Sequence, residues 1–149
     1  MTASIRRLVF PLLILILLLS GFLSACSTQE AEHSFTMAGI DGMPAEVQSA
    51  PVTVQQAYQF AFANPDMMIQ FPCYCGCGAM GHTSNYSCYV AEQNPDGTVR
   101  IFDNHALGYS ICVDITQDAM RLIKQGKSVP EIKAYVDQTY AKFGPSNMP

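Results

Sequence analysis

Cys73, Cys75 and Cys77 occupy alternate positions in Pro72-Cys73-Tyr74-Cys75-Gly76-Cys77-Gly78-Ala79-Met80-Gly81-His82. Thiolates and thioethers favour Cu(I), and a mixture of thiolate and imidazole also suits Zn(II). Gly76, Gly78 and Gly81 permit positive φ, so the backbone can curl and aim several sulfurs at one point. Backbone N–H groups in such a turn can face the thiolates and lower their proton affinity. His82 is a candidate ligand from the same loop, or a donor to a sulfur from behind it. Cys88, His105 and Cys112 are candidates from farther along the chain. The expected ion is Cu(I), with Zn(II) as the alternative.

Other uses of these thiols compete. Disulfides are the default for exported cysteines, yet a bridge from Cys73 to Cys75, or from Cys75 to Cys77, would strain a very tight ring. The five cysteines after residue 26 cannot all pair within one chain, and a leftover thiol points to a ligand, a reactive group or an intermolecular bond. A Cys88–Cys112 disulfide stays open as an alternative to ligation by that pair. Thiol–disulfide exchange is the enzymatic reading, but neither Cys-x-x-Cys at a helix start nor a thioredoxin-like βαβ pattern is present. An iron–sulfur cluster takes four thiolates, and the first three here are closer together than in familiar cluster loops. A hydrolytic cysteine needs no two companions at alternate positions. A binding or structural role is therefore expected ahead of catalysis.

The N-terminus sets the expected compartment. Arg6 and Arg7 precede the apolar run Leu8 to Leu19, and Leu23-Ser24-Ala25-Cys26 follows. That order reads as a secretory signal over 1–25, and its end resembles a lipobox whose cysteine is acylated. The run is shorter than the ~20 residues of a comfortable span. Cys26 is thus the expected lipidation site, holding the protein on the outer face of a bacterial cell membrane. Without the leader, two of the eight Lys and Arg are lost and the formal charge moves from −4 to −6. This mildly acidic balance argues against a nucleic-acid partner; an exported metalloprotein is the expected protein partner.

The sequence divides into that signal, a flexible tether over 26–51 and one small domain over 52–149. The tether is polar and interrupted by Gly39, Gly42 and Pro44, so His33, Met37 and Met43 read as parts of a leash rather than a soft-metal site. Thr53 and Gln56 suggest a capping box for a helix carrying Val54, Ala57, Tyr58, Ala61 and Phe62, which Asn64-Pro65 stops. Met67, Met68, Ile69 and Phe71 form a second apolar stretch. Cys88-Tyr89-Val90 and Val99 to Phe102 flank Asn94-Pro95-Asp96-Gly97 and predict a hairpin. Thr116 or Asp114 can cap a helix that ends at Gly126. Ser128 and Glu131 predict a second capping box, opening a helix with Ile132, Tyr135, Val136, Thr139, Tyr140 and Phe143 on one face. The expected fold is mainly α with a small β-hairpin (α+β): a compact single domain with a cysteine-rich central loop and a C-terminal αα-hairpin.

Pro72-Cys73-Tyr74-Cys75-Gly76-Cys77 also resembles the signature of an uncharacterised group of bacterial lipoproteins named for the PCYCGC motif. The likeness continues through Gly81-His82, Cys88, Asp103-Asn104-His105, Cys112-Val113-Asp114-Ile115 and Gly126-Lys127-Ser128 with Glu131-Ile132, over roughly residues 52–143. The family pattern often carries two cysteines three apart after the histidine; Tyr109 stands at the first position here and only Cys112 remains. This departure disfavours schemes needing the full set of thiols, such as two separate metal sites or an extra disulfide, and leaves the Cys73-Cys75-Cys77 cluster untouched. The resemblance implies an anchored cysteine-motif domain and brings no activity with it.

Overall fold

The computed structural model describes residues 34–96 and 99–148. The signal over 1–25, Cys26, His33 and Gly97 of the expected turn lie outside those residues. The described α-helices are α1 (Ala45–Gln48), α2 (Val52–Ala63), α3 (Pro65–Met68), α4 (His105–Gly108), α5 (Ser110–Lys124) and α6 (Val129–Tyr140). Strands β1 (Val90–Gln93) and β2 (Val99–Phe102) form one antiparallel two-stranded sheet. The fold is mainly helical with a small hairpin, as expected.

Helix α5 packs against both α2 and α6. It buries Val113, Ile115, Ala119, Met120, Leu122 and Ile123, while α2 contributes Ala57, Tyr58, Phe60 and Ala61 and α6 contributes Ile132, Val136 and Tyr140. Apolar residues recurring at helical spacing account for these faces. Among the described residues no helix is long and apolar enough to cross a membrane.

Several boundaries differ from the expected ones. The proposed Thr53–Gln56 box does not form, because α2 starts at Val52 with Pro51 as its N-cap. Thr53 instead offers its carbonyl to Gln117 Nε2 at 2.8 Å. Helix α5 starts at Ser110, earlier than Asp114 or Thr116. Thr116 is fully buried and bonds inward, so its side chain is not free to cap. Cys88 and Tyr89 precede β1, with Cys88 closing a 3-10 turn over Tyr86–Cys88.

The expected stops hold. Asn64 closes α2 in a non-helical conformation before Pro65. Gly126 has φ +77°, and the N–H groups of Gly126 and Lys127 donate to Ile123 O and Leu122 O at 2.8 and 3.0 Å. This is the paired bonding of a Schellman end, which needs a left-handed residue.

Ser128 and Glu131 form the expected box, with Ser128 N–H and Oγ donating to Glu131 Oε2 at 2.9 and 2.7 Å. The backbone bond from Ser128, then its hydroxyl, then Lys127 hold the Glu131 carboxyl down at about 2. A depressed folded-state value means the stabilisation is full above the ordinary 4.5 and fades as pH falls toward 2. Glu131→Ala is therefore expected to lower the unfolding temperature at pH 7, with the gap to the parent closing near pH 2. Thermal unfolding at the two pH values checks this.

The flexible tether needs a larger correction over residues 34–51. Met43 and Val47 are buried in the core, and Phe35 meets Phe60 edge-on at 4.9 Å between centroids. Ala38 N–H donates to Gln59 O at 3.1 Å, and Gln59 Nε2 returns a bond to Ala38 O at 2.7 Å. Asn64 Nδ2 donates to Thr36 O at 2.8 Å. The amide side chains of Gln59 on α2 and of Asn64 at its C-cap thus satisfy a backbone that has no regular partner. Val47, with no exposed surface, makes a direct test. Val47→Ala is expected to lower unfolding free energy by about 1–3 kcal/mol in denaturant titration, whereas a loose leash would show no change.

Candidate metal centre

Local chain geometry brings the sulfurs inward. Phe71 and Pro72 are buried and carry the chain into the interior ahead of Cys73. Gly76, at φ +85°, turns it sharply between Cys75 and Cys77, and Gly81, at φ +90°, ends the 3-10 turn Cys77–Met80. Those left-handed conformations are open to glycine at little steric expense. Gly78, the third glycine expected to curl the loop, keeps negative φ.

The cysteines converge from three parts of the chain. Cys73 Sγ lies 3.2 Å from Cys75 Sγ and 3.4 Å from Cys112 Sγ. Cys75 and Cys112 are 3.4 Å apart, and Cys77 and Cys88 are 3.7 Å apart. His105 Nε2 lies 3.2 Å from Cys75 Sγ. Cys73, Cys77, Cys88 and Cys112 are buried and Cys75 is half-buried; all five are free thiols. The Cys88–Cys112 bridge weighed above is therefore not formed.

The Cys77–Cys88 separation of 3.7 Å suits a metal as it stands, and the closer pairs need only spread by about half an ångström. A tetrahedral ion with sulfur ligands at about 2.3 Å holds them about 3.8 Å apart. Cys73, Cys75, Cys77 and Cys88 form one group able to hold an ion, and Cys75, Cys88, His105 and Cys112 form another. Every expected cysteine is brought in, and so is His105. His82 stands outside both groups. Its Nε2 lies 3.4 Å from Asp103 Oδ2, and its ring meets the His105 ring edge-on at 5.2 Å. It backs the site.

Contact among the thiols divides their proton affinities. Cys75 and Cys73 are held below the ordinary thiol value, in each case first by the hydrogen bond with Cys112. Cys88 is pushed up first by Cys112, and Cys112 first by Cys73. Adjacent thiols cannot all ionise together without a cation among them. Metal ligation, which requires thiolates, therefore releases protons from the raised pair.

Residues outside the cysteine motif hold the sulfurs in place. Tyr89 Oη donates to Cys112 O at 2.8 Å and lies 2.7 Å from Thr116 Oγ1. Asn85 Nδ2 also reaches Thr116 Oγ1, at 2.8 Å. This buried knot fixes the first turn of α5, which presents Cys112. Asp103 Oδ1 accepts the His105 N–H at 2.7 Å, while Tyr109 stacks on the His105 ring at 4.1 Å. The Tyr109 ring thus orients a candidate ligand.

Asn147 is the positioning residue that the sequence reading missed. Its Oδ1 accepts the Cys73 N–H at 2.7 Å, and its own N–H donates to Cys73 O at 3.0 Å. Its Nδ2 donates to Ser84 O at 3.0 Å and lies 3.4 Å from Cys77 Sγ. The tail reaches the loop past Gly144, where an added Cβ would meet Tyr74 O at 3.1 Å. Gly144-Pro145 signals only the stop of α6; nothing in the periodicity beyond it points back to residue 73.

Five thiols and an imidazole gathered by a small helical domain define a cysteine-cluster protein compatible with metal binding. The family model described as "Protein of unknown function with PCYCGC motif" matches residues 14–149, and the chain belongs to that family. No curated protein and no solved structure matches it.

Proposed function

We propose that this chain is a lipoprotein anchored through Cys26 to the outer face of a bacterial cell membrane, where it holds Cu(I) for buffering, resistance or delivery to an exported metalloprotein. The convergence of five unbridged thiols with His105 Nε2 carries the metal reading. Thiolate-rich donors favour Cu(I) over harder ions. The lipid anchor rests on Leu23-Ser24-Ala25-Cys26.

A structural Zn(II) site is the second reading, favoured by the four-donor groups and by their tying together three parts of the chain. Elemental analysis with thiol titration, on residues 27–149 purified anaerobically, separates the two. Copper retained with protected thiols supports the Cu(I) reading. Retained zinc with collapse of the fold on chelation supports the structural one. No retained metal, with thiols reactive after copper or zinc loading, defeats both. The anchor is tested separately by mass spectrometry of the membrane fraction: an acylated chain beginning at Cys26 is expected, and an uncut, unmodified precursor would refute it.

A further inference from the structure

The two groups of candidate ligands overlap. One contains Cys73, Cys75, Cys77 and Cys88, the other Cys75, Cys88, His105 and Cys112, and within each group every donor atom lies within 4.8 Å of the rest. Resting on the metal-binding reading above, we infer that the cluster holds two soft metal ions, bridged by the thiolates of Cys75 and Cys88.

The donor inventory fits this arrangement. Two separate four-coordinate ions need eight ligands, but two that share an edge need six. The two groups together supply six: five thiols and one imidazole. A single ion would use one group and leave the remainder of the other idle, either Cys112 with His105 or Cys73 with Cys77. The idle pair would not be remote, because Cys73 Sγ and Cys112 Sγ, which belong to different groups, are 3.4 Å apart. Such contact leaves no insulating layer between two sites, and Cys75 and Cys88, common to both groups, are the sulfurs that two ions would share.

Electrostatics favours the same count. Cys73, Cys88 and Cys112 have no exposed surface and Cys77 is 1% exposed. Thiolates there are poorly solvated and need cations close by. A second ion compensates the thiolates that the first cannot, and bridging sulfurs are those shared between the two charges. Six donors are too few for two independent four-coordinate sites but suffice for an edge-shared pair.

The full chain in detergent, reduced and stripped of metal, is titrated anaerobically with Cu(I) and weighed by native mass spectrometry. Two copper ions per chain are expected at saturation. Loading with 113Cd(II) is expected to give two NMR resonances that split one another through the shared sulfurs. His105→Ala removes a half-buried ligand of one group only and is expected to weaken the second ion roughly 100-fold or more while the first is retained. Saturation at one ion overturns the bridged pair and leaves the single-site reading standing; no bound ion overturns both. Two cadmium resonances without mutual splitting would overturn the sharing, and this result depends on no variant folding.

Discussion

Cys75→Ser is expected to weaken metal binding more than substitution of any other single ligand except Cys88. Its sulfur lies 3.2 Å from Cys73 Sγ, 3.4 Å from Cys112 Sγ and 3.2 Å from His105 Nε2. It belongs to both donor groups, whereas Cys77 belongs to one. Apparent binding energies of about 10–16 kcal/mol for four-ligand zinc sites come to about 3 kcal/mol per ligand. Loss of one thiolate should therefore reduce affinity roughly 100-fold or more, with a larger loss where two ions share it. Competition against a chelator of known affinity measures the effect, with Cys77→Ser as the comparison. Cys75 is half-buried, so the serine variant is expected to keep its helical circular dichroism. Parental affinity in Cys75→Ser would remove this cluster from consideration as the metal site.

Asn147→Ala should have the next largest effect from a single residue that is not itself a ligand. It removes the side-chain bonds to Cys73 N–H and Ser84 O and the contact with Cys77 Sγ. Groups that orient metal ligands from behind contribute about 10–100-fold in affinity. That range is expected here, because the amide touches two ligand positions. Removal of residues 145–149 should produce at least the same loss. A purely structural tail contact predicts a lower unfolding temperature without a change in affinity at 25 °C. Measuring both quantities on Asn147→Ala separates the two.

The legible parts of this protein are those encoded by neighbours in sequence. Ser128 and Glu131 define their helix start through bonds spanning three residues. Gly126 ends α5 because its own backbone adopts positive φ, and Asn64-Pro65 ends α2 through a local clash. The concentration of thiols around Cys73, Cys75 and Cys77 is equally plain from spacing, and so is the chemistry such thiols favour.

What stayed hidden depends on partners far away in the chain. Residues 34–51 look like a leash because their glycines and prolines break every period, yet Gln59 and Asn64 bond that backbone and the core covers Val47. Thr116 has the chemistry of a helix cap, and only the positions of Tyr89 and Asn85 show that its hydroxyl is already engaged. His82 and His105 had comparable claims as ligands. Asp103 takes Nε2 of the first, while the stacking of Tyr109 fits the second to face Cys75. Sequence alone determined the donor types, the stops at Asn64-Pro65 and Gly126, the Ser128–Glu131 helix start and the mainly helical fold, since these arise from intrinsic chemistry and short-range bonding. Tertiary structure alone decided which donors meet, which histidine faces them and how Asn147 braces the loop, because those depend on distances between segments that no local pattern records.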